Sequence, residues 1–403
     1  MRVGILTFHR AYNYGAFLQS FALSREISRH GHQTEIIDFT PSSLMEGYKP
    51  IKVFENKMIE TDHPIVFYIK NVIYKIVNYG YISKKNSFEL IRNQSIWGDM
   101  DKISLSKKCF VSDQSDIFKQ NFGGKYDLIV VGSDAIWNDY QTKCSYIYYL
   151  ENIKCRYKAS YAASAYGMSY ERKSSDQLAH ISELLGDFDL IACRDEYTEN
   201  QVRKISKKTV YHTCDPTFFL NASDFDEYAK SAKGKLINAG VDFSKKLVFL
   251  MGDANVGKAA RAALSDQYVL IGIYNYNRYA DINIPDLTPL EWAASFRFFE
   301  FTITSYFHCS IFSLLSGIPV VAIDKITAFS IKHKSKIRDL FERLHITEFY
   351  HTSDLSETEM EKASVSAAGK RNDPIWKKEL HDSIINERET GNRFLMKIDS
   401  LNN

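Results

Sequence analysis

Three side chains with acid–base or anion-binding chemistry follow short apolar runs in this 403-residue sequence: Asp134, Arg194 and His308. Arg194 can hold a carboxylate or a phosphate through two parallel hydrogen bonds. His308 can transfer a proton near neutral pH or bind an anion as a cation, and Asp134 can accept a proton from a hydroxyl group. Each residue also has a structural interpretation: a hydrogen-bonded buried histidine, an ion pair of Arg194 with Asp195 or Glu196, and a helix N-cap at Asp134.

These residues need elements that place them at the edge of a sheet. The apolar runs YDLIVVG, DLIAC and FTITSYF are predicted to be buried parallel strands that end at or just before them. In open α/β sheets, ligands bind at the carboxyl ends of the strands. His308 also opens the predicted helix SIFSLLSG, whose N-terminus attracts anions. The pattern therefore predicts that an anion binds at these strand ends.

Alternating strand and helix patterns predict two α/β domains. Residues 2–39 have a β-α-β pattern typical of doubly wound sheets, and the alternation restarts near Lys246. The predicted domains are residues 1–230 and 245–403, the second of which ends in long helices, and the charged stretch 231–246 is interpreted as the linker. Two Rossmann-like domains that face a cleft would place a ligand between them.

Residues 41–120 are predicted to be a mostly helical insertion in the first domain. Their segment FYIKNVIYKIVNYGYISKKNSFELI alternates apolar and basic residues at helical spacing. A solvated helical face is the favoured interpretation. A second hypothesis is peripheral contact of this insertion with an anionic membrane surface.

Composition excludes several classes of protein. The net charge of +2 argues against a nucleic acid partner, and 45% hydrophobic with 25% charged residues excludes wholesale disorder. The sequence has no apolar run of about 18 residues and no signal-peptide core, which predicts a cytoplasmic protein. Its six cysteines are scattered and are predicted to be reduced, buried thiols.

Two motifs are discounted. The segment from Gly252 to Lys258 matches GxxxxGK, but Ala259 stands where a magnesium-ligating Ser or Thr should follow. A plain strand-to-helix turn is favoured there, and phosphate binding by its backbone N–H groups stays open. His30 and His32 have no carboxylate or thiolate close by in the sequence, so no metal site is predicted.

Five blocks of the sequence resemble the polysaccharide pyruvyl transferase family. They are GILTFHRAYNYGAFLQSFAL, YDLIVVGSDAIWN, ASYAASAYG, CRDEYT with the later CDPTFFL, and TSYFHCSIFSLLSGIPVVAI, in the family's order across residues 4–323. The resemblance implies an α/β fold of two Rossmann-like domains facing a cleft, similar to the GT-B glycosyltransferases. It implies transfer of pyruvate from phosphoenolpyruvate to two hydroxyls of a sugar in a polysaccharide or its lipid-linked precursor, which gives a cyclic ketal and free phosphate. No metal and no cofactor beyond phosphoenolpyruvate as co-substrate is implied.

The resemblance also assigns roles to residues of these blocks. The donor-binding residues that it implies are Arg194, His308 and Ser305. Many members carry an Arg two positions before the histidine, where this chain has Tyr306, so one expected cation is missing. His308 is the candidate proton donor or phosphate partner, and these two roles stay open. Asp134 or His9 is the candidate base for the acceptor hydroxyl.

The acceptor sugar is expected on the first domain and the donor on the second. The N-terminal loop offers aromatic and small surfaces on which a sugar could stack, although a plain β-α turn that needs Gly15 would have the same pattern. The acceptor-binding candidates are Tyr12, Asn13, Tyr14, Gly15, Trp137 and Asn138.

Two other functions stay open at this stage. One is a GT-B glycosyltransferase that uses a nucleotide sugar. The other is a non-catalytic carbohydrate-binding relative, because Tyr306 stands where many family members have an Arg. The favoured function would belong to exopolysaccharide and cell-envelope biosynthesis in the cytoplasm, free or at the inner face of the membrane.

Overall fold

The computed structural model describes residues 1–41, 64–106, 109–111, 124–138, 142, 146–167 and 170–401. The strands of the first half are β1 (Arg2–Leu6), β2 (Gln33–Ile36), β3 (Phe39–Pro41), β4 (Cys109–Val111), β5 (Leu128–Asp134), β6 (Tyr157–Ala163), β7 (Ile191–Cys193) and β8 (Val210–His212). Its helices are α1 (Tyr14–Arg29), α2 (Pro64–Ser95), α3 (Ser175–Gly186), α4 (Glu196–Ile205) and α5 (Asp226–Asn238).

The second half continues the alternation. Its strands are β9 (Lys246–Met251), β10 (Tyr268–Ile273), β11 (Ile282–Ile284), β12 (Phe301–Thr304), β13 (Val320–Asp324) and β14 (Tyr350–Thr352). Its helices are α6 (Ala254–Ala263), α7 (Pro289–Ser295), α8 (Phe307–Leu315), α9 (Ala328–Lys332), α10 (Lys336–Arg343), α11 (Glu357–Lys370) and α12 (Pro374–Ser400).

Two parallel sheets organise the described residues, as predicted. The first has the order β2-β1-β5-β6-β7-β8 and the second the order β11-β10-β9-β12-β13-β14. The central strands β5 and β9 have the sequences LIVVGSD and KLVFLM and are buried along nearly all their length, because helices cover both faces of each sheet. All carboxyl ends of one sheet therefore lie at one edge.

Helix ends in the first domain follow from short polar residues and glycine. Asn13 caps α1 by accepting hydrogen bonds from two backbone N–H groups, and α1 stops before Gly31, which has a φ of 84°. Asp195 caps α4 by accepting from the N–H of Thr198. These caps fix where each helix begins above the strand that precedes it.

The insertion is only partly helical in the described residues. Helix α2 confirms the helical pattern for residues 64–95, but β3 and β4 form a separate two-stranded parallel sheet. Residues 42–63, 107–108 and 112–120 of the predicted insertion lie outside the described residues.

The stretch predicted as the linker is helical over half its length. Residues 231–238 form the last turns of α5, because Ala232 and Leu236 are buried and Lys235 pairs with Glu291 at 2.6 Å. The charged residues therefore belong to a solvated helix face, and residues 239–245 connect the two halves.

Helix α12 contacts both domains, although the predicted boundaries assign all of it to the second. Near its start, Trp376 packs on Phe349, with 5.7 Å between the ring centroids. Further along, Arg388 donates to the carbonyl of Phe218 at 2.7 Å, and a Cβ on Gly391 would overlap the side chain of Tyr161. The second half of this helix thus completes the core of the first domain.

Of the helices in the described ranges, none combines the length and apolar character that a bilayer-spanning helix needs.

Candidate active site

Arg194 lies at the carboxyl end of β7 and is 1% exposed. Its Nη1 donates to Oδ2 of Asp215 at 2.7 Å, and its Nη2 lies 3.6 Å from Oδ1 of Asp134. Its Cζ is 4.8 Å from the ring centroid of Phe307 in the second domain. The close ion pair is thus with Asp215, and Asp195, the partner expected as the structural alternative, instead caps α4.

Three buried nitrogen atoms around Arg194 make no hydrogen bond among the described residues, although two of them lie 3.4 and 3.6 Å from carboxylate oxygens of Asp215 and Asp134. These atoms are Nε and Nη2 of Arg194 and Nε2 of His308. Buried polar groups are almost always hydrogen-bonded, because an unpaired one loses its hydration without compensation. A cluster of unpaired donors therefore indicates a position for a ligand rich in acceptor oxygens.

His308 lies in the first turn of α8, at the strand-end position that the sequence predicts. Its Nε2 is 3.4 Å from Oδ2 of Asp215, so the second domain meets Arg194 of the first through one shared carboxylate. Gly15, at the start of α1, lies directly against its ring. The two sequence-predicted residues, Arg194 and His308, are thus brought together across the domain interface.

Asp215 holds this cluster, and the sequence analysis did not select it. It follows β8, and its Oδ1 accepts hydrogen bonds from the N–H and the hydroxyl of Thr217, at 3.0 and 2.6 Å. Burial alone would raise the pKa of Asp215, but the charges of His308 and Arg194 hold it well below its usual range. Asp215 also caps the short helical turn that begins at Pro216, so the sequence around it indicates this capping role and not its contact with Arg194.

Lys336 is the second residue that the sequence analysis missed. It opens α10, and its Nζ lies 5.3 Å from the ring centroid of Phe307 and 6.0 Å from that of Tyr166. No hydrogen-bond or ion-pair partner faces this ammonium in the described ranges. Burial, and then the charge of Arg194, lower the pKa of Lys336, against the charges of the nearby carboxylates. No strand precedes it, so strand-end reasoning could not find it.

Asp134 ends β5 beside Arg194. It has a φ of 82°, in the left-handed region that L residues rarely adopt, and its Oδ1 accepts from the N–H of Ala135 at 2.8 Å. This turn directs the carboxylate toward the guanidinium, at the 3.6 Å separation between Asp134 and Arg194.

Ser305 and Tyr306 follow β12. The N–H of Ser305 donates to the carbonyl of Met251 at 3.1 Å. The Tyr306 hydroxyl accepts a 2.5 Å hydrogen bond from Nδ2 of Asn275, and its ring packs on Tyr274 with centroids 5.6 Å apart. Burial raises the pKa of this phenol. Tyr306 is therefore a packed hydrogen-bonding residue at the position where many family members have a cation.

His9 belongs to a separate network. Its Nε2 lies 2.9 Å from Oδ1 of Asp38 and its Nδ1 lies 3.2 Å from the carbonyl of Thr7. Arg10 donates twice to the same Asp38 carboxylate. Burial would raise the pKa of Asp38, but the hydrogen bonds from Arg10 and His9 hold it well below its usual range. Both ring nitrogens of His9 are thus engaged away from Arg194.

Two of the predicted acceptor residues, Tyr14 and Trp137, are fully buried. The Tyr14 hydroxyl donates to the carbonyl of Leu287 at 2.9 Å, which ties α1 to the second domain. Trp137 donates to the carbonyl of Tyr148 at 2.9 Å and stacks on Tyr149. Neither ring offers a free face to a sugar.

The other predicted acceptor residues have local structural contacts. Asn13 caps α1, and Asn138 donates from Nδ2 to the carbonyl of Tyr166 at 2.6 Å. Tyr12 is partly exposed and stacks on Trp97, with ring centroids 5.0 Å apart. Gly15, the fourth, lies against His308 as described.

The polar groups of the two discounted motifs form hydrogen bonds within the protein. Asp253 caps α6 by accepting from the N–H groups of Asn255 and Val256, so its carboxylate takes the donors that a phosphate would need. His30 and His32 share one distant carboxylate, Asp399 of α12, at 2.8 and 2.9 Å. That contact joins α12 to the first domain. Local spacing in the sequence could not predict it, because Asp399 is far from both histidines along the chain.

A protein-family model matches most of the chain. The model described as polysaccharide pyruvyl transferase matches residues 13–324, well over half of the chain. A search of curated proteins found no match.

Solved structures share the fold. The MnaA–UDP structure from S. aureus has a TM-score of 0.50 and 9% identity, and it covers 100% of this chain and 97% of that one. Sucrose-phosphate synthase from Thermosynechococcus elongatus gives a TM-score of 0.49 at 12% identity, with 100% and 98% of the two chains covered. UDP-GlcNAc 2-epimerase from Methanocaldococcus jannaschii gives 0.46 at 9% identity, with 92% and 94% covered. At such identities the likeness concerns the two-domain architecture alone.

Proposed function

Because the chain belongs to the polysaccharide pyruvyl transferase family, we propose that it transfers pyruvate from phosphoenolpyruvate to two hydroxyl groups of one sugar. The products are a cyclic ketal on the sugar and free phosphate. The acceptor is a polysaccharide or its lipid-linked precursor, and the reaction serves cell-envelope exopolysaccharide synthesis in the cytoplasm.

The observation that carries this proposal is the set of unpaired, buried donors on Arg194 and His308. Phosphoenolpyruvate presents a carboxylate and a phosphate, both rich in acceptor oxygens. The fork of Arg194 suits either group. Asp215 keeps the guanidinium and the imidazole in place by neutralising part of their charge.

The missing family cation has a candidate replacement in Lys336. Its unpaired ammonium shares the ring of Phe307 with Arg194, at 5.3 Å and 4.8 Å from the centroid. A donor with two anionic groups would give this ammonium a direct hydrogen-bonding partner, which it lacks among the described residues. Side chains, without a metal ion, would thus neutralise the charge of the donor's carboxylate and phosphate.

His308 and Asp134 can supply and accept the protons that this reaction moves. A protein acid, for which His308 is the candidate, protonates the methylene carbon while an acceptor hydroxyl oxygen bonds to the neighbouring carbon and loses its proton to Asp134. The C–O bond to phosphate then breaks, and the second hydroxyl oxygen bonds to the same carbon. In sum, one hydroxyl proton ends in the new methyl group and the other leaves with phosphate.

Calorimetry with phosphoenolpyruvate and a panel of nucleotide sugars tests the donor. Selective binding of phosphoenolpyruvate that is lost in Arg194→Met and His308→Ala supports the proposal. Arg203→Met, a change at an exposed arginine of α4, is the matched control and should bind as the wild type does. Selective binding of a nucleotide sugar would instead identify a glycosyltransferase, and saccharide binding without either donor would identify a non-catalytic relative. Addition of EDTA should leave phosphoenolpyruvate binding unchanged.

We also propose that the protein contacts an anionic membrane, where a lipid-linked acceptor would reside. Helix α2 exposes Tyr79 at 74% and Leu90 at 58% and also carries Lys84, which is exposed, and Lys85, which lies 3.8 Å from Glu89. Apolar and basic residues on one helix are compatible with an anionic interface. Co-sedimentation with anionic vesicles at low salt supports this contact, and absence of the protein from the pellet removes it.

A further inference from the structure

We infer that the cavity between residues 167–172 and residues 327–333 holds the acceptor saccharide and selects one that carries an anionic group. This inference rests on the proposed function, because it names the second substrate of the same reaction. It moves the acceptor away from the N-terminal loop to a cavity that residues of both domains line.

The cavity has a volume of about 520 Å³, within the range of small-molecule sites. Both domains line it: the first supplies Gly167, Glu171 and Arg172, and the second supplies Phe329, Lys332 and His333. A substrate held here would touch both domains at once.

Aromatic rings form one wall of the cavity. The ring centroid of Phe329 lies 5.0 Å from that of Tyr166, 4.8 Å from that of Tyr197 and 4.7 Å from that of His333. Tyr166 and Tyr197 belong to the first domain, so these contacts hold Phe329 in a fixed position across the interface. A fixed aromatic ring offers an apolar face to the C–H surface of a sugar at little cost in conformational entropy.

The cavity adjoins the donor cluster. Tyr166, which contacts Phe329, lies 6.0 Å from Nζ of Lys336, and Lys336 shares the ring of Phe307 with Arg194. A sugar hydroxyl at the inner end of the cavity is thereby directed toward the atoms that would hold the donor.

An unpaired acceptor atom lies at the same border. Asp195 is 2% exposed, and its Oδ2 has no hydrogen-bond partner among the described residues, while its Oδ1 caps α4. Its charge contributes to the raised pKa of Tyr166 and opposes the lowered pKa of Lys336. A hydroxyl group, which donates a hydrogen bond, suits this oxygen.

The charge of the lining sets the class of saccharide. Arg172 and Lys332 are exposed and have no ion-pair partner in the described part of the chain, and they face one carboxylate, Glu171. The excess of positive charge favours a sugar with a negative substituent, either a carboxylate or a phosphate.

An array of immobilised saccharides tests the inference. Matched probes are oligosaccharides that end in glucose, glucuronic acid, galactose, galacturonic acid or a sugar phosphate, and they separate a carboxylate from a phosphate preference. The wild type should retain anionic probes about tenfold better than their neutral counterparts. Phe329→Ala should weaken retention of all probes, and the double variant Arg172→Gln, Lys332→Gln should remove the preference.

Ile331→Ala is the matched control, because Ile331 is 74% exposed on the same helix and does not line the cavity. All these variants should bind phosphoenolpyruvate as the wild type does. Equal retention of neutral and anionic probes, unchanged retention in the variants, or no retention of any probe would overturn the inference. Retention as expected in a protein that does not bind phosphoenolpyruvate would support the subsite and overturn the proposed donor.

Discussion

A Cβ atom added to Gly15 would lie 2.6 Å from the Cβ of His308 and would overlap its imidazole ring. Real Cβ atoms do not approach other atoms so closely, because the repulsion is too large. Helix α1 of the first domain therefore begins directly on the candidate proton donor of the second domain. The side-chain position of His308 depends on the absence of a side chain at Gly15.

Gly15→Ala should weaken phosphoenolpyruvate binding by at least about tenfold, because the added methyl group must displace His308 or separate the domains. Calorimetry measures the binding, and thermal unfolding reports whether the fold persists. Gly234→Ala in α5 is the matched control, since a Cβ there meets open space. Wild-type affinity in Gly15→Ala would contradict the role given to this contact.

Asp215→Asn should reduce the free energy of unfolding by about 3–5 kcal/mol, because Arg194 would keep a buried charge without its partner. Urea unfolding measures this. Asp187→Asn, which removes an exposed carboxylate near Lys158, should change it by no more than about 1 kcal/mol. Similar values for the two variants would mean that the Arg194–Asp215 pair does not stabilise the fold.

The contribution of Asp215 to stability should depend on pH. Its pKa in the folded protein lies below the value of about 3.9 of an unfolded aspartate, so the contribution is complete above about pH 4 and is lost as the pH falls below it. The difference in unfolding free energy between the wild type and Asp215→Asn should therefore shrink from pH 5 toward pH 3. A difference that stays constant over this range would be at odds with the lowered pKa.

Lys336→Met should weaken phosphoenolpyruvate binding by about 10- to 100-fold, as expected for loss of a charge-assisted hydrogen bond of about 1.5–3 kcal/mol. The unfolding free energy should stay the same or rise, because the ammonium has no partner in the described part of the free protein. Lys378→Met, a change at a residue of α12 whose side chain is 81% exposed, should leave donor binding intact. Equal effects of the two changes would refute a specific role for Lys336.

Cys155 should resist alkylation in the native protein. Burial raises the pKa of its thiol to about 11, although Lys158 opposes the shift, so about one molecule in a thousand carries the thiolate at pH 8. The other described free cysteines are Cys193, Cys214 and Cys309, all buried. Mass spectrometry after treatment with iodoacetamide should find these four residues unmodified until urea is added. Rapid native labelling of Cys155 would show that its surroundings are more open.

The strands and three of the site residues could be predicted because their signals are local. An apolar run followed by a polar residue indicates a strand end, and Asp134, Arg194 and His308 lie at such ends. Asp215 and Lys336 join them only through long-range packing, and each has a local explanation as a turn or helix-start residue. Local patterns therefore locate strand ends but not the loops that approach them from elsewhere.

Two other patterns each fit more than one environment. The aromatic residues Tyr14 and Trp137 could have packed in a core or bound a sugar, and only their complete burial decides between these. The charged stretch 231–246 suited a linker, but its buried Ala232 and Leu236 fit one face of α5. In both cases the missing information was which surface each element covers.

Helix α12 follows the second domain in the chain, yet its second half covers residues of the first domain, including Tyr161 and the carbonyl of Phe218. While the ribosome makes the second domain, the first must wait with this apolar surface open to water. The first domain can therefore complete its core only after α12 is made. Until then, a chaperone or another unfinished copy can bind its uncovered apolar surface. The position of one helix in the chain order thereby links the yield of the folded first domain to completion of that helix.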